Sequence, residues 1–118
     1  MRRACVALGW LLAGVIVVLS LIPAPPKVDV AHADKVEHLL AYGSLMFWFG
    51  QLYPRAAVRI AYAALWIAMG VAIEYLQRWT GYRMFDVADM LANALGVLIG
   101  WAVARFTPTF LPTAASRP

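Results

Sequence analysis

The side chains in this sequence that could do chemistry fall into three short polar clusters with helical spacing. The first cluster contains Asp34 and His38, the second contains Glu74, and the third contains Asp89 and Asn93. Residues three or four apart lie on the same face of an α-helix, so each cluster would present its polar groups together. Carboxylates and an imidazole can act as general acids and bases, and they can also bind a divalent cation. Because the spacing fits no standard metal-ligand motif, it names neither a metal nor a cofactor.

Three of these residues are candidate catalytic groups, because ionisable side chains at the ends of apolar helices are costly in a membrane and seldom incidental. They are His38, Glu74 and Asp89. Basic neighbours could hold a phosphate or a carboxylate through paired hydrogen bonds. The residues predicted to contact a ligand are Asp34, Lys35, His38, Glu74, Gln77, Arg78, Arg83, Asp89 and Asn93. Taken one at a time, each also has a structural interpretation, as one partner of an ion pair or hydrogen bond between helices.

The rest of the chain is apolar enough to be embedded in a membrane. Of its 118 residues, 64% are hydrophobic and 14% are charged, whereas soluble domains are about 45 to 50% apolar. The mean hydropathy is +0.73. A chain of this length has room for one domain, so residues 1–118 are predicted to form a single membrane domain.

Four apolar segments, separated by charged residues or prolines, predict four transmembrane helices. The first has 19 residues without a charge, close to the number of about 20 that spans a bilayer. The other three reach a spanning length once the polar turns beside them are included. The predicted spans are residues 4–22, 36–53, 58–77 and 87–105. The predicted fold class is therefore all-α, a four-helix transmembrane bundle.

The distribution of charge predicts the orientation of this bundle. If the helices alternate in direction, one side receives six basic residues and no acidic one: Arg2, Arg3, Arg55, Arg59, Arg105 and Arg117. All six acidic residues fall on the opposite side. Because an excess of Arg and Lys marks cytoplasmic loops, both termini are predicted to be cytoplasmic and the three polar clusters extracytoplasmic.

The charge pattern and the cysteine count exclude two kinds of function, nucleic-acid binding and paired-thiol redox chemistry. The net charge of +4 comes without a basic stripe on a water-facing surface, so nucleic acid is not an expected partner. Cys5 is the only cysteine, which excludes an intramolecular disulfide and a paired-thiol redox centre.

An alternative interpretation makes residues 1–33 a cleaved signal peptide, because Arg2 and Arg3 precede an apolar stretch and Ala31-His32-Ala33 resembles a cleavage site. The apolar stretch is longer than the usual signal core, and a proline-rich spacer follows it, which favours a retained helix. Cleavage would leave three helices and the same three clusters.

The last apolar segment also carries a packing motif. Gly96 and Gly100 lie one turn apart below Asn93. Small residues at this spacing let the backbone of a neighbouring helix approach closely. We expect them to serve helix packing rather than chemistry.

The three clusters, in their order along the chain, resemble the VanZ-like family of small polytopic bacterial membrane proteins. The resemblance covers residues 34–100. It is carried by Asp34-Lys35-x-x-His38, Glu74-x-x-Gln77 and Arg83-x-Phe85-x-x-x-Asp89-x-x-x-Asn93-x-x-Gly96. It implies a four-helix domain in the bacterial inner membrane, and the founding member is associated with resistance to the lipoglycopeptide teicoplanin. The resemblance implies no residue roles, and Asp86 falls where other members look more variable.

Three hypotheses for function follow. In the first, the extracytoplasmic polar site binds or shields an amphiphilic envelope molecule, such as a lipid-linked cell-wall precursor, a lipid headgroup or a lipoglycopeptide, with a role in glycopeptide resistance or envelope homeostasis. In the second, the protein is an enzyme that modifies an envelope lipid, with His38 or Glu74 as general base. In the third, the clusters form a structural network in an assembly partner without a ligand. The sequence leaves the ligand, the metal, the oligomeric state and the question of catalysis open.

Overall fold

The computed structural model of the chain is built from four α-helices. It describes residues 2–21, 33–80 and 87–109, without the side chains of residues 33–35 and 80. Within these ranges there is no β-strand, which confirms the all-α prediction. The helices are α1 (Arg2–Leu21), α2 (Ala33–Leu52), α3 (Ala56–Thr80) and α4 (Val87–Phe106).

The helix boundaries follow from the positions of proline and of the polar clusters. The turn between α2 and α3 contains Pro54, which cannot occupy a helix interior because it lacks an N–H group. Around it, the N–H of Tyr53 donates to the carbonyl of Phe49, and that of Arg59 donates to the carbonyl of Arg55, both at 3.0 Å. The polar turns that start α2 and end α3 are helical, so these helices are longer than their uncharged runs.

Three of the four helices are long and apolar enough to cross a membrane, namely α1, α3 and α4. The prediction of spanning helices is supported for these three. The remaining helix, α2, also has 20 residues but is less apolar. The difference goes with burial, because α2 supplies more of the buried core than any other helix, namely Tyr42, Leu45, Met46, Phe49 and Leu52. A helix that is covered by its neighbours exposes less surface to lipid.

The helices alternate in direction, so the bundle has two chemically different ends. Near one end, Arg2 of α1 donates through Nη1 to the carbonyl of Leu52 at the end of α2, at 3.2 Å. Near the other end, Gln77 of α3 donates through Nε2 to the carbonyl of Ser20 in α1, at 2.6 Å. We call the first the arginine end. We call the second, where α2 and α4 begin, the polar end.

Helices α2 and α4 run parallel and form the tightest contact in the bundle. A Cβ atom on Gly96 would lie 2.5 Å from the carbonyl oxygen of Leu39, and one on Gly100 would collide with the carbonyl oxygen of Gly43. Glycine at these positions therefore lets two helix backbones meet without side chains between them. The two glycines of the sequence motif lie within this contact.

An aromatic core fills the half of the bundle nearer the arginine end. Phe49 is fully buried and stacks on Tyr62 of α3 with 4.7 Å between ring centroids. Trp10 of α1 meets Phe49 edge-on at 5.3 Å and Trp66 of α3 at 5.5 Å. Three helices are thus joined by ring contacts, and the polar side chains are left at the opposite end.

Candidate functional site

The three polar clusters of the sequence come together at the polar end. At its mouth, His38 of α2 faces Asp89 of α4, with 4.0 Å between Nδ1 and Oδ1. The side chains are 25% and 14% exposed, while the two facing atoms are buried. The two residues stand 51 positions apart in the chain, and the parallel packing of α2 and α4 brings them together.

A second layer lies one turn deeper and consists of Tyr42, Asn93 and Gly70. Tyr42 is 2% and Asn93 3% exposed. A Cβ atom on Gly70 of α3 would lie 3.1 Å from Nδ2 of Asn93 and 3.3 Å from Cε2 of Tyr42. The absence of a side chain at position 70 therefore lets α3 close over these two polar groups.

The acid and the amide of α3 are both buried at this end. Glu74 is 1% exposed and Gln77 is 4% exposed. Glu74 lies one turn after Gly70 on the same face of α3, and Gly70 meets Asn93 and Tyr42, so Glu74 lies next to the second layer, where its charge acts on the hydroxyl of Tyr42. Gln77 is directed to α1 through its hydrogen bond to Ser20. We therefore assign Glu74 to the polar site and Gln77 to the contact between α1 and α3.

Several buried polar atoms of the site lack a hydrogen-bond partner among the described residues. They are Nδ1 of His38, the hydroxyl of Tyr42 and Oδ1 of Asn93. Leaving a buried donor or acceptor unsatisfied costs about 1 to 3 kcal/mol. Such atoms are exceptions in folded proteins and are frequent at functional sites.

Other residues predicted to be in the site lie at its rim or outside the described part. Arg78 is exposed in the last turn of α3. The side chains of Asp34 and Lys35 lie outside the described residues. Arg83 and Asp86 also lie outside them, since residues 81–86 are not described.

The described side chains of the polar site are better suited to accept hydrogen bonds from a ligand than to hold a metal ion. In the ranges that the structure describes, no three His, Cys, Asp or Glu side chains converge on one point. The buried layer offers the carboxylate of Glu74, the amide oxygen of Asn93 and the hydroxyl of Tyr42. Groups of this kind fit a ligand that donates hydrogen bonds, such as a hydroxyl or an ammonium group.

Apolar surface lies at the same level of the bundle as the polar site. Val36 and Leu40 of α2 are 55% and 60% exposed, and Leu91 of α4 is 65% exposed. Each of them lies two residues from His38 or Asp89, about 200° around its helix, so these side chains face outward on the side away from the polar site. A ligand with a polar group in the site would have its apolar part in the bilayer that this outer surface contacts.

The residues predicted to contact a ligand did not include Tyr42, although the structure places it in the second layer. The sequence signal for including Tyr42 was its position four residues after His38, on the same helix face and one turn further into the membrane. Gly70 gave a weaker signal, because a glycine in a transmembrane helix is common.

Comparisons with known proteins found similarity at the level of sequence. A model of the VanZ/LLP1 family matches residues 15–108 of the chain. An uncharacterised protein of Schizosaccharomyces pombe is 31% identical over 74 residues, which is 60% of this chain and 46% of the yeast protein. The chain thus spans about half the length of this relative. No solved structure matches the chain.

Proposed function

The chain belongs to the VanZ-like family of membrane proteins, and we propose that its polar end binds the headgroup of an amphiphilic envelope molecule. The observation that carries this proposal is the set of buried, unsatisfied polar atoms of His38, Tyr42 and Asn93. They come from two helices, and Glu74 of a third lies beside them. A headgroup that donates hydrogen bonds would satisfy these atoms and remove the cost of their burial.

The amphiphilic character of the ligand follows from the bilayer around the polar end. The outer faces of α2 and α4 at this level carry the exposed aliphatic residues Val36, Leu40 and Leu91, so the hydrocarbon part of a ligand whose headgroup enters the site would remain in the bilayer. Arg78 at the rim would meet a phosphate at the level of the headgroups, since an arginine can bind a phosphate through two parallel hydrogen bonds. A phospholipid or a lipid-linked cell-wall precursor combines these features.

The proposal includes a place in the cell. The charge distribution supports an extracytoplasmic polar end and cytoplasmic termini. A bacterial inner membrane is the expected location, although the relative from a yeast indicates that similar chains also occur in eukaryotes. In a bacterium, capture or shielding of an envelope molecule would affect envelope homeostasis and, through it, sensitivity to glycopeptide antibiotics.

The experiment that tests ligand binding compares two buried amides at opposite ends of the bundle. Asn93→Leu removes the amide of the polar site, and Gln51→Met removes a fully buried amide that bonds the carbonyl of Pro108 near the arginine end. Native mass spectrometry of the proteins, released from nanodiscs made with total envelope lipid, measures which amphiphiles stay bound. Loss of one hydrogen bond to the ligand predicts a drop in affinity of about 5- to 10-fold for Asn93→Leu. Gln51→Met should bind as the unmodified protein does, and equal binding by all three would contradict the proposal.

A second candidate function is catalysis on such a ligand, and the His38–Asp89 pair favours it. A carboxylate beside an imidazole can orient the ring, and the other ring nitrogen is then available as a general base. Asp89→Asn preserves the shape of the pair and removes the charge. If the protein is an enzyme, lipid incubated with the reconstituted protein should show a product of new mass. Asp89→Asn should lower the rate at which this product forms about 100-fold or more. An unchanged lipid profile after long incubation would leave binding as the function.

A further inference from the structure

The arginine end contains a buried cation that the polar site does not use. Arg59 of α3 is 9% exposed, and its Nε donates to the carbonyl of Gly50 at 2.8 Å. This bond uses one of the five N–H donors of the guanidinium group. A carbonyl is neutral, so the positive charge of Arg59 is not compensated by this contact.

The neighbourhood of Arg59 provides more positive charge rather than a carboxylate. A Cβ atom on Gly50 would lie 2.6 Å from Cβ of Ala104 in α4 and 3.8 Å from Nε of Arg59. Arg105, the next residue of α4, is therefore close enough for its charge to act on Arg59. The sequence has no acidic residue between Glu37 and Glu74 or after Asp89. The described acidic residues all lie at the polar end. A buried arginine beside a second arginine is unfavourable unless an anion joins them.

The helix that carries Arg59 adds to the attraction for an anion. Arg59 lies in the first turn of α3, which contains no acidic residue. The N-terminus of a helix has unsatisfied N–H groups and a partial positive charge, which favour an anion and disfavour a cation. Arginine at this position therefore gains nothing from the helix dipole and would gain from a bound phosphate.

The aromatic residues around Arg105 place this end at the level of lipid headgroups. The guanidinium of Arg105 lies 5.5 Å from the ring centroid of Trp101 and 5.6 Å from that of Phe106. Phe106 is 79% exposed. Aromatic and basic residues at the ends of transmembrane helices mark the interface between bilayer and water.

We propose that the arginine end binds the phosphate group of an anionic membrane lipid, held between Arg59 and Arg105 at the N-terminus of α3. The guanidinium donors of the two arginines would bind the phosphate oxygens, and the lipid chains would lie along the outer surface of α3 and α4. This site is separate from the polar end and does not depend on the function proposed there.

The test is a titration of the full chain in an uncharged detergent with short-chain lipids. Dihexanoyl phosphatidylglycerol is the anionic probe, dihexanoyl phosphatidylcholine is the zwitterionic control, and inorganic phosphate is the soluble control. Thermal unfolding followed by circular dichroism gives the apparent affinity, because a ligand that binds only the folded state raises the midpoint. Only phosphatidylglycerol should raise it at low concentration.

Matched variants separate a built site from general attraction. Arg55→Gln removes an exposed charge at the same end, which should weaken binding about fivefold. Arg59→Gln should weaken binding at least about tenfold, the loss expected for a hydrogen bond to a charged group. Arg105→Gln should do the same, and since Arg105 is exposed, this variant tests the proposal even if Arg59→Gln does not fold.

Two outcomes would overturn the proposal. Equal losses for Arg55→Gln and Arg105→Gln would show that the end attracts anions only through its total charge. Equal stabilisation by inorganic phosphate and by phosphatidylglycerol at the same concentration would show that the ligand is a soluble anion rather than a lipid.

Discussion

The contact between α2 and α4 makes the effect of a single methyl group predictable at two glycines. In Gly96→Ala, the new Cβ would lie 2.5 Å from the carbonyl oxygen of Leu39. In Gly14→Ala, the new Cβ would have no neighbour within 4 Å. Both residues lie inside long helices, so the two substitutions share the same change in helix propensity and differ only in the space around them.

The size of the difference can be worked out from these distances. Alanine is favoured over glycine in a helix interior by about 1 kcal/mol, so Gly14→Ala should leave the stability unchanged or raise it by that amount. At position 96 the obstacle is backbone, which cannot rotate away as a side chain does. The backbones of α2 and α4 would therefore have to move apart, and overpacking of this kind costs about 1 to 3 kcal/mol of stability. Since the gain in helix propensity is common to both variants, we expect Gly96→Ala to be less stable than Gly14→Ala by about 1 to 3 kcal/mol.

Unfolding in mixed micelles of dodecylmaltoside and sodium dodecyl sulfate, followed by circular dichroism and tryptophan fluorescence, measures this difference. Gly14→Ala serves as the control for propensity. If Gly96→Ala unfolds at the same fraction of sodium dodecyl sulfate as Gly14→Ala, the backbones of α2 and α4 are not in contact at Leu39, and the placement of His38 beside Asp89 loses its support.

Two further predictions concern the ends of the bundle. Gln77→Leu removes the hydrogen bond to the carbonyl of Ser20 and should destabilise the fold by about 1 kcal/mol, with faster hydrogen exchange at the end of α1; unchanged exchange there would contradict the contact. A reporter enzyme fused after Arg105 should be active in the cytoplasm and one fused after Arg78 outside it, because the arginine end carries the excess of positive charge; the reverse pattern would refute the predicted orientation.

The sequence predicted the helices closely because proline and charge mark their ends. The predicted spans 36–53 and 58–77 differ from the observed α2 and α3 by one to three residues at each boundary. The differences arise because polar residues such as Gln77 and Arg78 continue the helix beyond the apolar run. Hydropathy reports where a helix meets water, whereas the hydrogen-bonded helix can extend past that point.

The pairing of the helices could be predicted only in part. Periodicity assigned Asp89, Asn93, Gly96 and Gly100 to one face of α4, and that face packs on α2 in the structure. The spacing did not indicate that this face of α4 would pack against Gly43 of α2. Periodicity identifies the polar or small-residue face of a helix but not the helix that packs on it.

Arg59 shows a second limit of the sequence. It was counted among the basic residues that predict orientation, while its burial and its bond to the carbonyl of Gly50 depend on how α3 approaches the end of α2. The sequence signal for the burial of Arg59 was the position of an arginine next to an otherwise apolar run.

The central claim is that the polar ends of three helices form one site for an amphiphilic molecule. The most direct test is an experimental structure of the chain in a nanodisc of envelope lipid, with an antibody fragment as a size marker. We expect headgroup density between His38, Tyr42 and Glu74, with the attached hydrocarbon chain in the bilayer. A structure in which the hydroxyl of Tyr42 bonds to another side chain of the protein, with no lipid at that end, would contradict it.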